Sequence, residues 1–371
     1  MIRGLSQLGI PVSKSGDRLE VTGCDGRIPG EQADLFIGNS GTTLRFLTAM
    51  LTLGHGHFRL DGTPRMRERP IGDLIDALGQ LGADVATELP TGCPPLIIRA
   101  AGLPGGTATI RGNISSQYLS GLLLAAPYAK RAVTLLVDGL LVSQPYVHMT
   151  LGVMRAFGVE VSSSNLARLQ VPNTSHYRAC AYNIEPDASA ASYFFAAAAI
   201  TGGKIIVQGL ARDALQGDIA FVDLLAQMGC RITHHADSLQ VEGAPLHGID
   251  VDMNAISDTV QTLGAVALFA EGPTTIRGVA HIRHKETDRI GALACELRKL
   301  GAVVDEFDDG LRITPKALQP AEIATYDDHR MAMSLALPGL RIPGVVILDP
   351  GCTSKTYPGY FQDLASIATQ A

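Results

Sequence analysis

The chain has 371 residues, 46% of them hydrophobic, which is enough for two ordinary domains with sizeable cores. Charged residues make up 18% and the net charge is -6, which excludes a disordered chain and a global field attracting nucleic acid; an anionic small substrate would have to be met by local Arg and Lys clusters. The six cysteines form no C-x-x-C pair, no histidines have zinc-ligand spacing, the N-terminus has no signal-peptide pattern and the apolar run Tyr193–Ile200 is too short for a membrane, so a metal-free cytoplasmic protein is expected.

In chain order, the first predicted element is an amphipathic helix ending in Leu5-Ser6-Gln7-Leu8-Gly9, followed by strand-like Ile10-Pro11-Val12. The same helix–apolar–Gly–strand motif returns at Ala77–Gly82 before Ala83-Asp84-Val85, and again at Phe157-Gly158, Met228-Gly229 and Leu300-Gly301. The interval is roughly seventy residues each time, and glycine suits a left-handed C-terminal cap. A second strand follows at Leu19-Glu20-Val21, Leu96-Ile97-Ile98, Leu239-Gln240-Val241 and Leu311-Arg312-Ile313. Polar clusters that open apolar helices alternate with these motifs: Asn39-Ser40-Gly41-Thr42, Ser115-Ser116-Gln117, Asp187-Ala188-Ser189, Ser257-Asp258-Thr259 and Asp327-Asp328-His329. The repeating unit therefore reads βαβαββ. The first copy opens inside its capped helix and the last stops before its two strands, so a complete sixfold chain would need about fifty more residues in front. The expected domains are 1–184, an incomplete first unit plus two full ones, and 185–371, three units with the last lacking its final strands.

Helix N-termini carry unpaired N–H groups and attract anions, and cations stand beside several of these starts. They are Arg45, the cluster Arg65, Arg67 and Arg69, the cluster Arg283, Lys285 and Arg289, then Arg330 and Lys355. Each also has a plain structural reading. Arg65–Arg69 could be a solvated turn, Arg283–Arg289 a charged helix start, and Arg330 a partner of Asp327 or Asp328. Acid–base candidates are Asp258, Glu286 and His329. Asp258 could equally be a helix cap, Glu286 a surface partner of Lys285, and His329 structural. There is no P-loop and no G-x-G-x-x-G after a strand.

Together these motifs resemble the 5-enolpyruvylshikimate-3-phosphate synthases. Gly38-Asn39-Ser40-Gly41-Thr42-Thr43-Leu44-Arg45 is similar to one family signature and Lys285-Glu286-Thr287-Asp288-Arg289 to the other. Arg65-Met66, Arg69-Pro70-Ile71, Ile114–Gln117, Ser143-Gln144-Pro145-Tyr146, Asp327–Met333 and Lys355-Thr356-Tyr357-Pro358 match in order over essentially the whole chain. The resemblance implies an α/β (α+β) fold, the two-domain inside-out enolpyruvyl transferase architecture of βαβαββ units, its domains closing on the substrates. It implies transfer of enolpyruvyl from phosphoenolpyruvate to shikimate 3-phosphate by addition and elimination, with no cofactor and no metal, in a monomer that glyphosate could inhibit and that binds neither nucleic acid nor membrane. Ser115, Ser116, Gln117, Ser143 and Tyr146 match positions that hold shikimate 3-phosphate. Gly41, Arg69, Gln117, Arg289, Arg330 and Lys355 match those around phosphoenolpyruvate. Asp258 matches the base for the 5-hydroxyl, Glu286 an acid for the enolpyruvyl methylene, and Lys285 a bridge between substrate and intermediate. His281 and His329 complete the substrate-binding set.

Three departures qualify that match. The family's K-S-x-S-N-R segment has no counterpart, because Ser13–Arg18 lies between strand-like segments and no apolar helix follows it. His281 stands where Asn is common, and Phe46 where many relatives have Pro, which predicts altered packing beside Gly41 and altered glyphosate binding. The missing segment leaves open a second reading, an inactive polypeptide that still binds shikimate 3-phosphate. The related transferase acting on UDP-N-acetylglucosamine is disfavoured, since Cys93 in Thr91-Gly92-Cys93-Pro94-Pro95 does not resemble that family's loop cysteine.

Overall fold

The apolar helices opened by the polar clusters lie in the core of their own unit, because most of their side chains are apolar and buried. In the computed structural model, which describes residues 1–368, the chain forms two compact units, Met1–Asn183 and Ile184–Ala371. The first unit opens with α1 (Ile2–Gln7), β1 (Val12–Ser15) and β2 (Arg18–Val21). It continues with β3 (Gln32–Phe36), α2 (Gly41–Leu51), β4 (His55–Asp61), α3 (Gly72–Gln80), β5 (Asp84–Thr87) and β6 (Leu96–Ala101). Then come β7 (Gly106–Arg111), α4 (Ser116–Ala125), β8 (Val133–Asp138), α5 (Gln144–Ala156), β9 (Ser162–Ser164) and β10 (Arg168–Val171). Helices α2 and α4 pack on each other and α4 on α5, with Leu44, Leu47, Leu119, Leu122 and Leu123 in the shared core.

Two sheets of this unit share one plan. β3 runs parallel to β4, and β6 then pairs antiparallel with β4 and with its hairpin mate β5. The order β7-β8-β10-β9 repeats this strand for strand. The pair β1–β2 stands as a two-stranded hairpin, Val12 opposite Val21 and Ser15 opposite Arg18. Ser13–Arg18, expected to lie between strands, thus belongs to the hairpin itself, Ser13–Ser15 in β1 and Arg18 in β2, and β3 rather than an apolar helix follows it. In β10 Leu169 and Val171 are 0% exposed, whereas Leu19 and Val21, their counterparts in the matching Arg-Leu-x-Val run of β2, are 47% and 53% exposed.

The second unit contains α6 (Ala188–Thr201), β11 (Lys204–Gln208), α7 (Phe221–Gln227), β12 (Arg231–His234) and β13 (Ser238–Glu242). Next are β14 (Asp250–Asp252), α8 (Val260–Ala267), β15 (Thr274–Arg277), α9 (Arg289–Lys299), β16 (Val303–Phe307) and β17 (Gly310–Thr314). It ends with β18 (Glu322–Ile323), α10 (His329–Ala336), β19 (Val346–Ile347) and α11 (Tyr360–Ala368). Every residue of α8 is buried, and α6 is apolar on all sides, Ala196–Ala199 letting neighbours approach closely. A buried hydroxyl chain, Ser192 to Thr262 to Ser334 at 3.2 Å per step, ties α6, α8 and α10 together.

The sheet β14-β15-β17-β16 again follows the βαβαββ plan. The unit that opens with α6 departs from it, since residues 172–187 form no strand and its sheet has only β11-β13-β12. Pro172 and Pro186 bracket that stretch and cannot donate to a ladder. β18 and β19 make a parallel pair. All five motif glycines, Gly9, Gly82, Gly158, Gly229 and Gly301, have positive φ of 79° to 117°, the cap geometry expected of them. No helix among the described residues is long and apolar enough to cross a membrane.

Candidate active site

Four of the five polar clusters cap helices in the ordinary way. Ser40 accepts from Thr43 N–H, Ser115 from Gln117 N–H, Asp187 from Ala190 N–H and Asp328 from Arg330 N–H. Asp258 does not. It lies in the 3-10 turn Asn254–Thr259 ahead of α8, whose N-cap is Thr259 without a side-chain bond. The cap reading of Asp258 is therefore replaced by another: its carboxylate is spent on cations.

In the second unit those cations converge. Arg289, 1% exposed, fans over three carboxylates: Asp328 at 2.7 and 3.2 Å, Glu286 at 2.9 Å and Asp258 at 3.1 Å. Arg330 Nη2 donates to the other Asp258 oxygen at 2.8 Å, and Lys285 Nζ stands 3.8 Å from Asp258. Lys355 Nζ donates to Glu286 Oε1 at 2.6 Å. Glu286 is thus a buried junction between Arg289 and Lys355, not a surface partner of Lys285. Arg330 donates its backbone N–H to Asp328, while its guanidinium reaches Asp258. Asp328 itself, fully buried, is the seat of Arg289 and was not among the expected site residues. The doubled acid Asp327-Asp328 was the available signal, but local spacing could not show a partner 39 residues away.

Burial alone would raise the Asp258 pKa, but Arg330, Lys285 and Arg289 outweigh it and hold the carboxyl well below its usual range. Burial likewise would lower the Arg289 pKa, and Asp328, Glu286 and Asp258 reverse that. His281 is buried with its Nε2 2.9 Å from Ser257 Oγ; desolvation, helped by Lys285, brings its pKa down to about 4. His329, 5% exposed, is lowered to about 3 by desolvation and Arg330. Both imidazoles are therefore neutral at pH 7. The cluster sets four cationic side chains against three carboxylates, which leaves net positive charge for an incoming anion.

The first unit gathers a second set. Arg69, 2% exposed, donates to Asn39 O at 3.1 Å and Asn39 Oδ1 at 3.2 Å. Arg45, 4% exposed, donates to Gln117 Oε1 at 2.9 Å, and Gln117 Nε2 donates to Thr42 Oγ1 at 3.0 Å. The Arg45 guanidinium lies 5.3 Å over the Tyr118 ring. A Cβ on Gly41 would meet both guanidinia, coming within 2.9 Å of Arg69 Cζ. Ser116 is buried in the first turn of α4 behind the Ser115 cap. Ser143 takes left-handed geometry, φ 54°, at the start of α5, and Tyr146 O accepts from Thr150, whose hydroxyl meets Ser120 of α4 at 2.7 Å. Asn39 and Arg45 stood in the quoted motifs but outside the expected site set.

The arginine clusters divide sharply. Arg67 makes a two-point pair with Asp61 at 2.9 and 2.6 Å, and this pair, with Gly62 and Arg59, brings the Asp61 pKa down to about 2. Arg65 pairs with Glu68 at 2.9 Å. Arg283 holds Asp288 and Glu306 at 2.7 and 3.0 Å. These side chains brace turns, whereas Arg69 and Arg289 point inward.

A model of the family "EPSP synthase (3-phosphoshikimate 1-carboxyvinyltransferase)" matches residues 1–364. The chain belongs to the EPSP synthase family. It is 51% identical over 360 residues to the 3-phosphoshikimate 1-carboxyvinyltransferase of Nostoc punctiforme, covering 96% of this chain and 84% of that one. To the enzyme of the same name from Marinomonas sp. it is 50% identical over 372 residues, 99% and 88% of the two chains. The solved EPSP synthase from Acinetobacter baumannii superposes with a TM-score of 0.78 at 25% identity, over 98% of this chain and 85% of that one. The mixed α/β fold expected from the sequence is that of EPSP synthases.

Proposed function

We infer that the chain transfers the enolpyruvyl group of phosphoenolpyruvate to shikimate 3-phosphate with release of phosphate. The observation that carries this is the second unit's cluster, where Asp258 and Glu286, both engaged by cations, occupy the family's motif positions. The reading as an inactive binder of shikimate 3-phosphate is not favoured, because relatives named as the transferase align over 96–99% of this chain.

The roles follow from the chemistry. Addition needs a base for the 5-hydroxyl, a proton for the methylene, and fixed cations for the phosphate that leaves. Asp258 is the base. Held by Arg330, Lys285 and Arg289 it is a weak one, and its strength rises as the negative charge of bound substrates offsets the field of those cations in place. Glu286, between Arg289 and Lys355, handles the methylene proton, and Lys285 bridges substrate and intermediate. By their match to the family's motifs, Gly41, Arg69, Gln117, Arg289, Arg330 and Lys355 are the residues we assign to phosphoenolpyruvate. Ser115, Ser116, Gln117, Ser143, Tyr146 and His281 receive shikimate 3-phosphate, and His329 completes the substrate shell as a neutral donor or acceptor. Preorganised charges of this kind stabilise the transition state without rearranging. The chain is expected to work as a cytoplasmic monomer without metal or cofactor, and to be open to inhibition by glyphosate.

The test is phosphate release by the purified chain with both substrates, then with each alone. Release that requires both supports the reading, and release abolished in Asp258→Asn supports the base. A folded chain that releases none with both present sinks it.

A further inference from the structure

We propose that Asp218 and Ser189 form a positioning pair for Arg330, a mount that keeps its guanidinium aimed when Asp258 changes charge; this rests on Arg330 binding the anionic substrate. Asp218 lies outside every motif described above, in the 3-10 turn Gly217–Ala220 ahead of α7. It is 3% exposed, and it accepts a hydrogen bond from Ser189 Oγ on the first turn of α6. A serine hydroxyl has one proton to give. With that proton committed to Asp218, the oxygen turns its lone pairs outward, and Arg330 Nη2 stands 3.5 Å from it. One turn along α6, Tyr193 OH lies 3.4 Å from Arg330 Nη1.

The guanidinium is therefore held from two sides. One side is Asp258 at 2.8 Å, the group expected to gain a proton during turnover. The other is a pair of hydroxyls on α6, with the Asp218 carboxylate behind one of them. Neither hydroxyl titrates near neutral pH; burial lifts the Tyr193 pKa to about 12 even with Arg330 beside it. When Asp258 takes a proton its grip on Arg330 weakens, and the hydroxyl side stays as it was. The turn carrying Asp218 is placed independently of Arg330. Gln216 Oε1 accepts from Ala188 N–H at 2.9 Å, and Gln216 Nε2 donates to Pro186 O at 2.7 Å, clamping the turn to the start of α6.

The experiment compares Asp218→Asn, Ser189→Ala and the double variant in the full chain. Steady-state kinetics vary each substrate, calorimetry measures phosphoenolpyruvate binding, and thermal unfolding checks integrity. Each single variant should raise KM for phosphoenolpyruvate roughly tenfold, the loss of about one charge-assisted contact. KM for shikimate 3-phosphate should stay within about twofold, and the double variant should be no worse than either single one, as expected for one connected unit. Unchanged phosphoenolpyruvate KM and affinity in folded variants overturns the proposal. So does an equal rise in both KM values, or fully additive effects. Should Asp218→Asn not fold, Ser189→Ala decides alone, since alanine is at home in a helix. If the wild-type chain releases no phosphate, the functional reading fails, while calorimetry still decides whether the pair governs anion affinity.

Discussion

Replacing Arg289 with lysine separates what a fork of donors contributes from what a positive charge contributes. Arg289 makes four hydrogen bonds to three carboxylates, at 2.7 to 3.2 Å. A lysine ammonium is a compact point on a flexible stem and can stand between two of those groups, not all three. At least one carboxylate then loses its guanidinium donor and keeps only its second partner, where Asp328 is 0% and Glu286 8% exposed. Removing one partner of a buried pair costs about 3–5 kcal/mol, and the retained charge reduces this, so Arg289→Lys should destabilise by about 2–4 kcal/mol. If Arg289 is the phosphate donor proposed above, the change should also lower kcat/KM by about a hundredfold or more. Urea unfolding measures the first quantity and a phosphate-release assay the second. A loss under about 1 kcal/mol, the level of a surface ion pair, with kcat/KM within threefold would refute the view that Arg289 is the keystone of the network.

Acid should destabilise the protein well above the range where carboxylates protonate. The pKa values of His281 and His329 are lowered from 6.5 to about 4 and about 3, so the unfolded chain takes up protons first as pH falls. Their stabilisation is complete above pH 6.5 and is lost progressively below it, about 2 kcal/mol for each histidine between pH 7 and pH 5. Asp258 adds its own loss only below its unfolded value of 3.8. Equal urea midpoints at pH 7 and pH 5 would contradict this. Gly41→Ala should displace the Arg45 and Arg69 guanidinia, costing about 1–3 kcal/mol at most and raising KM for phosphoenolpyruvate several-fold, read by kinetics and thermal melts. Arg283→Ala, by contrast, should cost about 1 kcal/mol and leave both KM values unchanged, because it pairs with Asp288, the cap of α9, and Glu306 of β16 at a partly exposed site.

Helix ends and the repeat could be read from the sequence because their causes are local. A glycine after an apolar residue is where a helix can turn left-handed, and each of the five did so. Site membership was harder, because its cause lies far along the chain. Arg67 and Arg69 sit two residues apart in the same turn, yet one braces Asp61 and the other is buried against Asn39. Asp258, like the other polar clusters, stands just ahead of a helix, and only its distant partners, Arg289 31 residues on and Arg330 72 residues on, show that it does something else. The absent strand before α6 escaped for a different reason: the repeat predicted a ladder that Pro172 and Pro186 do not support.

The hairpin β1–β2 leaves the molecule with adhesive character. Leu19 and Val21 face solvent on a strand whose counterpart β10 buries the same two residues and pairs along both edges. Such an edge offers unspent hydrogen bonds alongside apolar side chains, the combination from which strands recruit further strands. Handling of the protein should therefore depend on concentration. Light scattering at rising concentration should show growth that Leu19→Lys and Val21→Lys suppress, with the Arg289 ion-pair cluster of the second unit unaffected.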